Sequence, residues 1–284
     1  LFTPDWLDVE SLERLLEHVL AGGVHGVFIM GTTGEGPGLG LEVARELITR
    51  TGALLRGRMP LLVGVTHTST HDSLRLAETA AEAGADAVVT AGPCYFPIGQ
   101  EDLVRWVERY ARASPLPVFL YNMPSHAHVS FADESVLRIA AKVPNVVGIK
   151  DSSGDLMYLH GLVRAMPAVR PDFSLIIGPE ELTAEAVLFG AHGGVNGGAN
   201  LFPKLYVDVY RAATAGDLET LRRLQAKVID LSRRLYGSNY LCGIKCAAAE
   251  LGLIRNVLAA PYEPFEGERR ERIRMELADL TQSI

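Results

Sequence analysis

The chain repeats one unit: a short apolar run of strand character, then an amphipathic stretch of helical character. Residues 24–30 (VHGVFIM), 60–65 (PLLVGV), 86–91 (DAVVTA), 116–121 (LPVFLY), 145–150 (NVVGIK), 174–178 (SLIIG) and 193–196 (GGVN) each read as a buried strand of parallel type. Between them the apolar residues fall at helical spacing. Leu12, Leu15, Leu16, Val19 and Leu20 share one face, with Asp8 placed to cap the start and Gly22-Gly23 to end the helix; Leu103, Val104, Val107, Tyr110 and Ala111 form a similar stripe. Strand–helix alternation with right-handed crossovers leaves two architectures, an open doubly wound sheet or a closed barrel. A partial strand at residues 1–3 brings the strand count to eight. The expected fold is therefore α/β, a (β/α)8 TIM barrel over residues 1–216. After Gly216 the strand rhythm stops, and helical patterns at 217–235, 243–251 and 266–280 predict a C-terminal helical extension, residues 217–284, against the barrel or a neighbouring subunit.

The polar residues favour the barrel. Nearly every strand ends in small, hydroxyl-bearing or ionisable groups: Gly31-Thr32-Thr33, Thr66-His67, Cys94-Tyr95, Tyr121-Asn122, Lys150-Asp151, Glu180-Glu181 and Asn196. In a barrel these converge on one mouth, the face where such folds hold their chemistry. The 284 residues suit one large barrel, and 27 Lys and Arg against 34 Asp and Glu give a net charge of −7. With no basic cluster carrying interleaved aromatics and no apolar run of bilayer length, neither nucleic acid nor membrane is an expected partner. Cys94, Cys242 and Cys246 lack zinc or redox spacing and Leu1 opens no signal-peptide pattern, so a cytoplasmic location is expected.

Lys150 closes the apolar run 146–149, where burial disfavours the ammonium and can bring its pKa toward the neutral amine that attacks carbonyls. The plainer alternative is a strand that ends there with its amine in water. Tyr121 ends the preceding strand, so its phenol would lie beside Lys150 and could pass protons; alternatively it is an aromatic plug. The loop from Gly31 to Gly36 offers backbone N–H groups and two hydroxyls to a small anion such as a carboxylate, or is simply a tight turn. It lacks the spacing of a nucleotide-binding loop.

GTTGE at 31–35, YNMP at 121–124 and GIKDSSGD at 148–155, in this order, resemble the dihydrodipicolinate synthase / N-acetylneuraminate lyase family. The resemblance extends over essentially the whole chain, including PCYFP at 93–97 and the helical C-terminus. It implies class I chemistry on pyruvate or another 2-oxo acid, with a covalent imine to the protein, no metal and no organic cofactor. A homotetramer, or at least a homodimer, is implied as well. By resemblance Lys150 is the Schiff-base lysine and Tyr121 the acid/base tyrosine. Thr33 relays protons and helps hold the pyruvate carboxylate, with Thr32 beside it. Tyr95 reaches into a neighbouring subunit's site, and Gly178 and Val195 line the pyruvate pocket. Lys245 also ends an apolar run but maps to the C-terminal helices, and is read as structural.

The chain departs from the pattern in places. The dihydrodipicolinate synthases carry an arginine two residues after the Pro124 position to grip aspartate semialdehyde; here the residue is His126, with no Lys or Arg anywhere in 122–128. A neutral imidazole cannot make the bidentate contact of a guanidinium. Glu180 and Glu181 stand where sialic acid lyases accept hydrogen bonds from substrate hydroxyls, and Ser152 and Asn196 could add more; favourable charge at a helix start after Pro179 is the plainer account of the glutamates. The stretch from Thr3 to Asp8 is also shorter than the resemblance implies. Together these features predict a class I lyase that releases pyruvate from a hydroxylated 2-oxo acid by aldol cleavage, or dehydrates such an acid. The alternatives are dihydrodipicolinate synthase activity and a non-catalytic 2-oxo acid sensor.

Overall fold

The computed structural model describes residues 2–3, 6–237 and 239–283. Two short strands, β1 (Phe2–Thr3) and β2 (Trp6–Leu7), pair antiparallel with each other. Next come α1 (Val9–Ala21) and strand β3 (Val27–Ile29), then α2 (Leu41–Leu55), β4 (Leu61–Gly64), α3 (Thr70–Glu82), β5 (Ala87–Ala91) and α4 (Gln100–Ala113). The chain continues through β6 (Val118–Asn122), the short α5 (Pro124–Ala127), α6 (Asp133–Lys142), β7 (Val146–Asp151), α7 (Leu156–Val169), β8 (Ser174–Ile177), α8 (Thr183–Leu188) and β9 (Gly193–Gly194). It ends in α9 (Pro203–Ala215), α10 (Leu218–Leu235), α11 (Tyr240–Glu250) and α12 (Gly267–Ser283).

The seven strands from β3 to β9 form one parallel sheet in sequence order, each hydrogen-bonded to the next. Curled with its helices outside, it is a barrel of the (β/α)8 type with C-terminal helices, as the alternation predicts. The expected eighth strand is a correction: Phe2–Thr3 belongs to the separate hairpin and not to the sheet, while Leu1 lies outside the described residues. Its physical reason is local, since the close return of Trp6–Leu7 takes up the pairing edge of so short a strand.

Helix starts and stops follow the capping residues. Asp8 accepts from the Ser11 amide at 3.1 Å and its hydroxyl at 2.7 Å, opening α1, and Leu12, Leu16 and Val19 turn inward. Along the strands the alternation sorts side chains between two environments. Val88, Leu120 and Ile149 join the core against the outer helices, whereas Val89, Ala91 and Tyr121 pack with Phe28, Leu62 and Phe119 in a separate inner cluster. A second core ties α8 and α9 to the three C-terminal helices through Val209, Leu224, Val228, Leu231 and Ile244. The strand–helix repeat stops at Gly216, but packing runs continuously across it.

Candidate active site

β6 and β7 place Tyr121 and Lys150 as neighbours, their Cα atoms paired in the parallel register. Both stand at strand ends and both are buried, with Lys150 only 8% exposed. The lysine Nζ lies 4.3 Å from the centre of the Tyr121 ring and 4.9 Å from that of Phe28. Burial in this aromatic cage holds the Lys150 amine below the usual lysine range, although the neighbouring phenol pulls the other way. For Tyr121, burial alone would raise the pKa. The Lys150 charge and hydrogen bonding from Thr32 and Ser152 outweigh it and hold the phenol below its ordinary value. The strand end therefore carries an amine readier to be neutral beside a phenol readier to ionise.

The two threonines of the GTTGE turn face different phenols. Thr32, not Thr33, sits 3.3 Å from the Tyr121 hydroxyl, and Thr33 instead pairs with the Tyr240 hydroxyl at 2.8 Å. Tyr240 lies outside the helical pattern that the sequence predicts from Gly243 onward. The helix starts three residues sooner, at Tyr240, where Asn239 caps it by accepting from the Cys242 amide, and an asparagine before an apolar run is the available signal. The same turn is fixed from behind. Glu35, in the left-handed region at φ 55°, forms a buried ion pair with Lys245 and accepts from the Ala259 amide at 2.8 Å. Lys245 is thus structural, as read.

Gly178 and Ser152 meet beside the lysine. A Cβ at position 178 would lie 1.9 Å from the Ser152 Oγ, so any side chain there would displace the serine hydroxyl. Val195 donates its amide to the Ile177 carbonyl at 2.9 Å, and the Asn196 side chain ties the Gly178 carbonyl to Thr183. Glu180 is placed otherwise than expected. Its carboxylate is buried and accepts from the Tyr206 and Tyr236 hydroxyls and the Gly198 amide, at 2.8, 2.5 and 2.8 Å, so it faces phenols rather than the mouth. Glu181 accepts from Ser232 on α10. His126 is exposed on α5 with its Nδ1 2.9 Å from the Ser125 Oγ. Tyr95, 79% exposed, packs edge-on against Phe96 outside this chain's own site. Among the described residues no group of three or more His, Cys, Asp or Glu side chains is placed to hold a metal, and no helix is long and apolar enough to cross a membrane.

A parallel α/β barrel that presents a buried amine against a phenol at adjacent strand ends defines an imine-forming lyase. The model of the dihydrodipicolinate synthetase family matches residues 3–280, and the chain belongs to that family. It is 33% identical to the 4-hydroxy-tetrahydrodipicolinate synthase of Aromatoleum aromaticum, over 94% of this chain and 90% of that one. The structure of dihydrodipicolinate synthase from Bacteroides thetaiotaomicron superimposes with a TM-score of 0.94 at 48% identity, covering 98% of this chain and 95% of the other. YagE, a prophage protein of E. coli K12 solved in complex with pyruvate, gives a TM-score of 0.93 at 25% identity, over 99% and 95%. The protein is accordingly a class I lyase of this family, whose enzymes join a lysine to pyruvate as a Schiff base and use no metal.

Proposed function

We infer that the protein releases pyruvate from a hydroxylated 2-oxo acid through an imine at Lys150. The Lys150 amine, buried in its aromatic cage beside Tyr121 with its pKa held below the usual lysine range, is the observation that carries this reading. The amine adds to the 2-oxo carbon and water leaves, giving a protonated imine. Tyr121 takes the proton of the substrate's C4 hydroxyl as the C3–C4 bond breaks, and the bonding electrons pass into the imine to give an enamine. Protonation at C3 and hydrolysis then free pyruvate and return the amine, while the cleaved tail leaves as an aldehyde. A dehydratase course would use the same imine and expel water from the substrate instead. Thr32 is the relay hydroxyl to Tyr121, and Thr33 belongs to the carboxylate side of the pocket with Gly178, Val195 and Ser152. Asn196 and Glu181 remain candidates for the tail. Tyr95 acts in a neighbouring subunit, so the working form is an oligomer, and the three free thiols suit a cytoplasmic setting.

The second reading is condensation of pyruvate with aspartate semialdehyde, favoured by relatives such as the A. aromaticum synthase. His126 weighs against it, because an exposed imidazole replaces the guanidinium that would grip the aldehyde's carboxylate. Assay of pyruvate release from 2-oxo-3-deoxy sugar acids, 4-hydroxy-2-oxoglutarate and N-acetylneuraminate, alongside condensation with aspartate semialdehyde, decides between them. Turnover of a sugar acid with negligible condensation is expected. Efficient condensation and no cleavage would make the synthase reading the better one.

A further inference from the structure

The C-terminal helices reach the turn beside the imine pocket through Tyr240. Tyr240, in the first turn of α11, puts its hydroxyl 2.8 Å from that of Thr33. The phenol is seated tightly: a Cβ on Gly197 would lie 1.7 Å from its oxygen, and the Tyr236 ring packs edge-on at 4.7 Å between centres. Tyr236 is itself held by the buried Glu180 carboxylate, which also fixes Tyr206 and the Gly198 amide. A chain of contacts thus runs from Glu180 through the Tyr236 hydroxyl and ring to Tyr240 and ends on the turn that carries Thr32 and Thr33.

We propose that Tyr240 is a positioning residue for substrate binding: its phenol holds the Thr33 hydroxyl, and with it the 31–36 turn, in the orientation that receives the carboxylate of the 2-oxo acid. Burial raises the Tyr240 pKa, with the Glu180 charge adding to it, so the phenol keeps its proton and has one to donate to Thr33. When Tyr240 donates to Thr33, the threonine's own proton is left free to point at an anion. The same side chain is contributed by the chain that supplies Lys150, so this part of the pocket is complete within one subunit.

The inference rests on imine chemistry at Lys150, and the test separates the two. Wild-type protein, Tyr240→Phe, Thr33→Val and the double variant are titrated with pyruvate in the presence of borohydride, and covalent label is read by intact mass. Tyr240→Phe keeps the ring against Gly197 and Tyr236 and removes one oxygen. The concentration of pyruvate for half-labelling should rise about fivefold or more, the usual worth of one hydrogen bond, with full labelling at saturation. Thr33→Val should shift it at least as far, and the double variant should be no worse than Thr33→Val, because the phenol acts only through that hydroxyl. No label on the wild-type protein would overturn the imine reading itself. Label on the wild-type protein with an unshifted curve for either single variant, or with additive effects in the double, would overturn the role of Tyr240.

Discussion

Burial acts on both Lys150 and Tyr121, and beyond it each biases the proton affinity of the other, which fixes what removing one should do. The phenol favours the ammonium form of Lys150, so Tyr121→Phe should lower the lysine pKa further. Imine trapping with pyruvate and borohydride should then reach its half-maximum at a lower pH than in the wild-type protein, a shift read directly from labelling against pH. Turnover should nevertheless fall by roughly 10²–10⁴, the usual contribution of a positioned acid/base. Unchanged turnover would make Tyr121 a packing residue. These two residues were legible in the sequence because each breaks a rule locally, an ionisable or polar group closing an apolar strand. The Thr32–Tyr121 and Thr33–Tyr240 pairs were not, since the choice between adjacent threonines depends on partners 89 and 207 residues away.

Among the elements, strands and helices emerged where periodicity and capping agree, as in α1 with Asp8 and in the seven parallel runs. What the pattern missed were short, context-dependent features: the pairing of Phe2–Thr3 with Trp6–Leu7, and the three-residue earlier start of α11. Glu180 eluded it for a different reason, because a glutamate after a strand looks the same whether it faces substrate or three buried donors. The joint between α11 and the 31–36 turn invites a direct test. Lys245→Met strands the Glu35 carboxylate in the interior and should cost about 3–5 kcal/mol in denaturant unfolding, as breaking a buried pair does. Adding Glu35→Gln should recover part of that loss, since the amide carbonyl can still accept from Ala259 and no unpaired charge remains. Equal stability of the single and double variants would show that the pair does not act as a unit.

At the scale of the whole molecule, the exposed Tyr95–Phe96 pair is a feature that a single chain leaves unexplained. If Tyr95 completes a neighbour's site, then Tyr95→Phe and Lys150→Ala, each inactive alone, should regain part of the activity when unfolded together and reassembled, because some sites recover a full set of groups. No recovery in verified mixed oligomers would place Tyr95 outside catalysis. The contacts of the 31–36 turn also bear on how the molecule is made. Thr33, near the start of the chain, meets Tyr240 across 207 residues, and Glu35 meets Ala259 across 224. Contacts of that span form late, after the closure entropy of the intervening chain has been overcome. During synthesis from the N-terminus, a ribosome that has just finished β7 has already delivered Lys150 and Tyr121, yet the turn beside them still lacks its contacts with Tyr240, Lys245 and Ala259. The amine of Lys150 is thus on the nascent chain about 90 residues before Tyr240 arrives to hold Thr33, so the turn reaches its finished form only after α11 has been made.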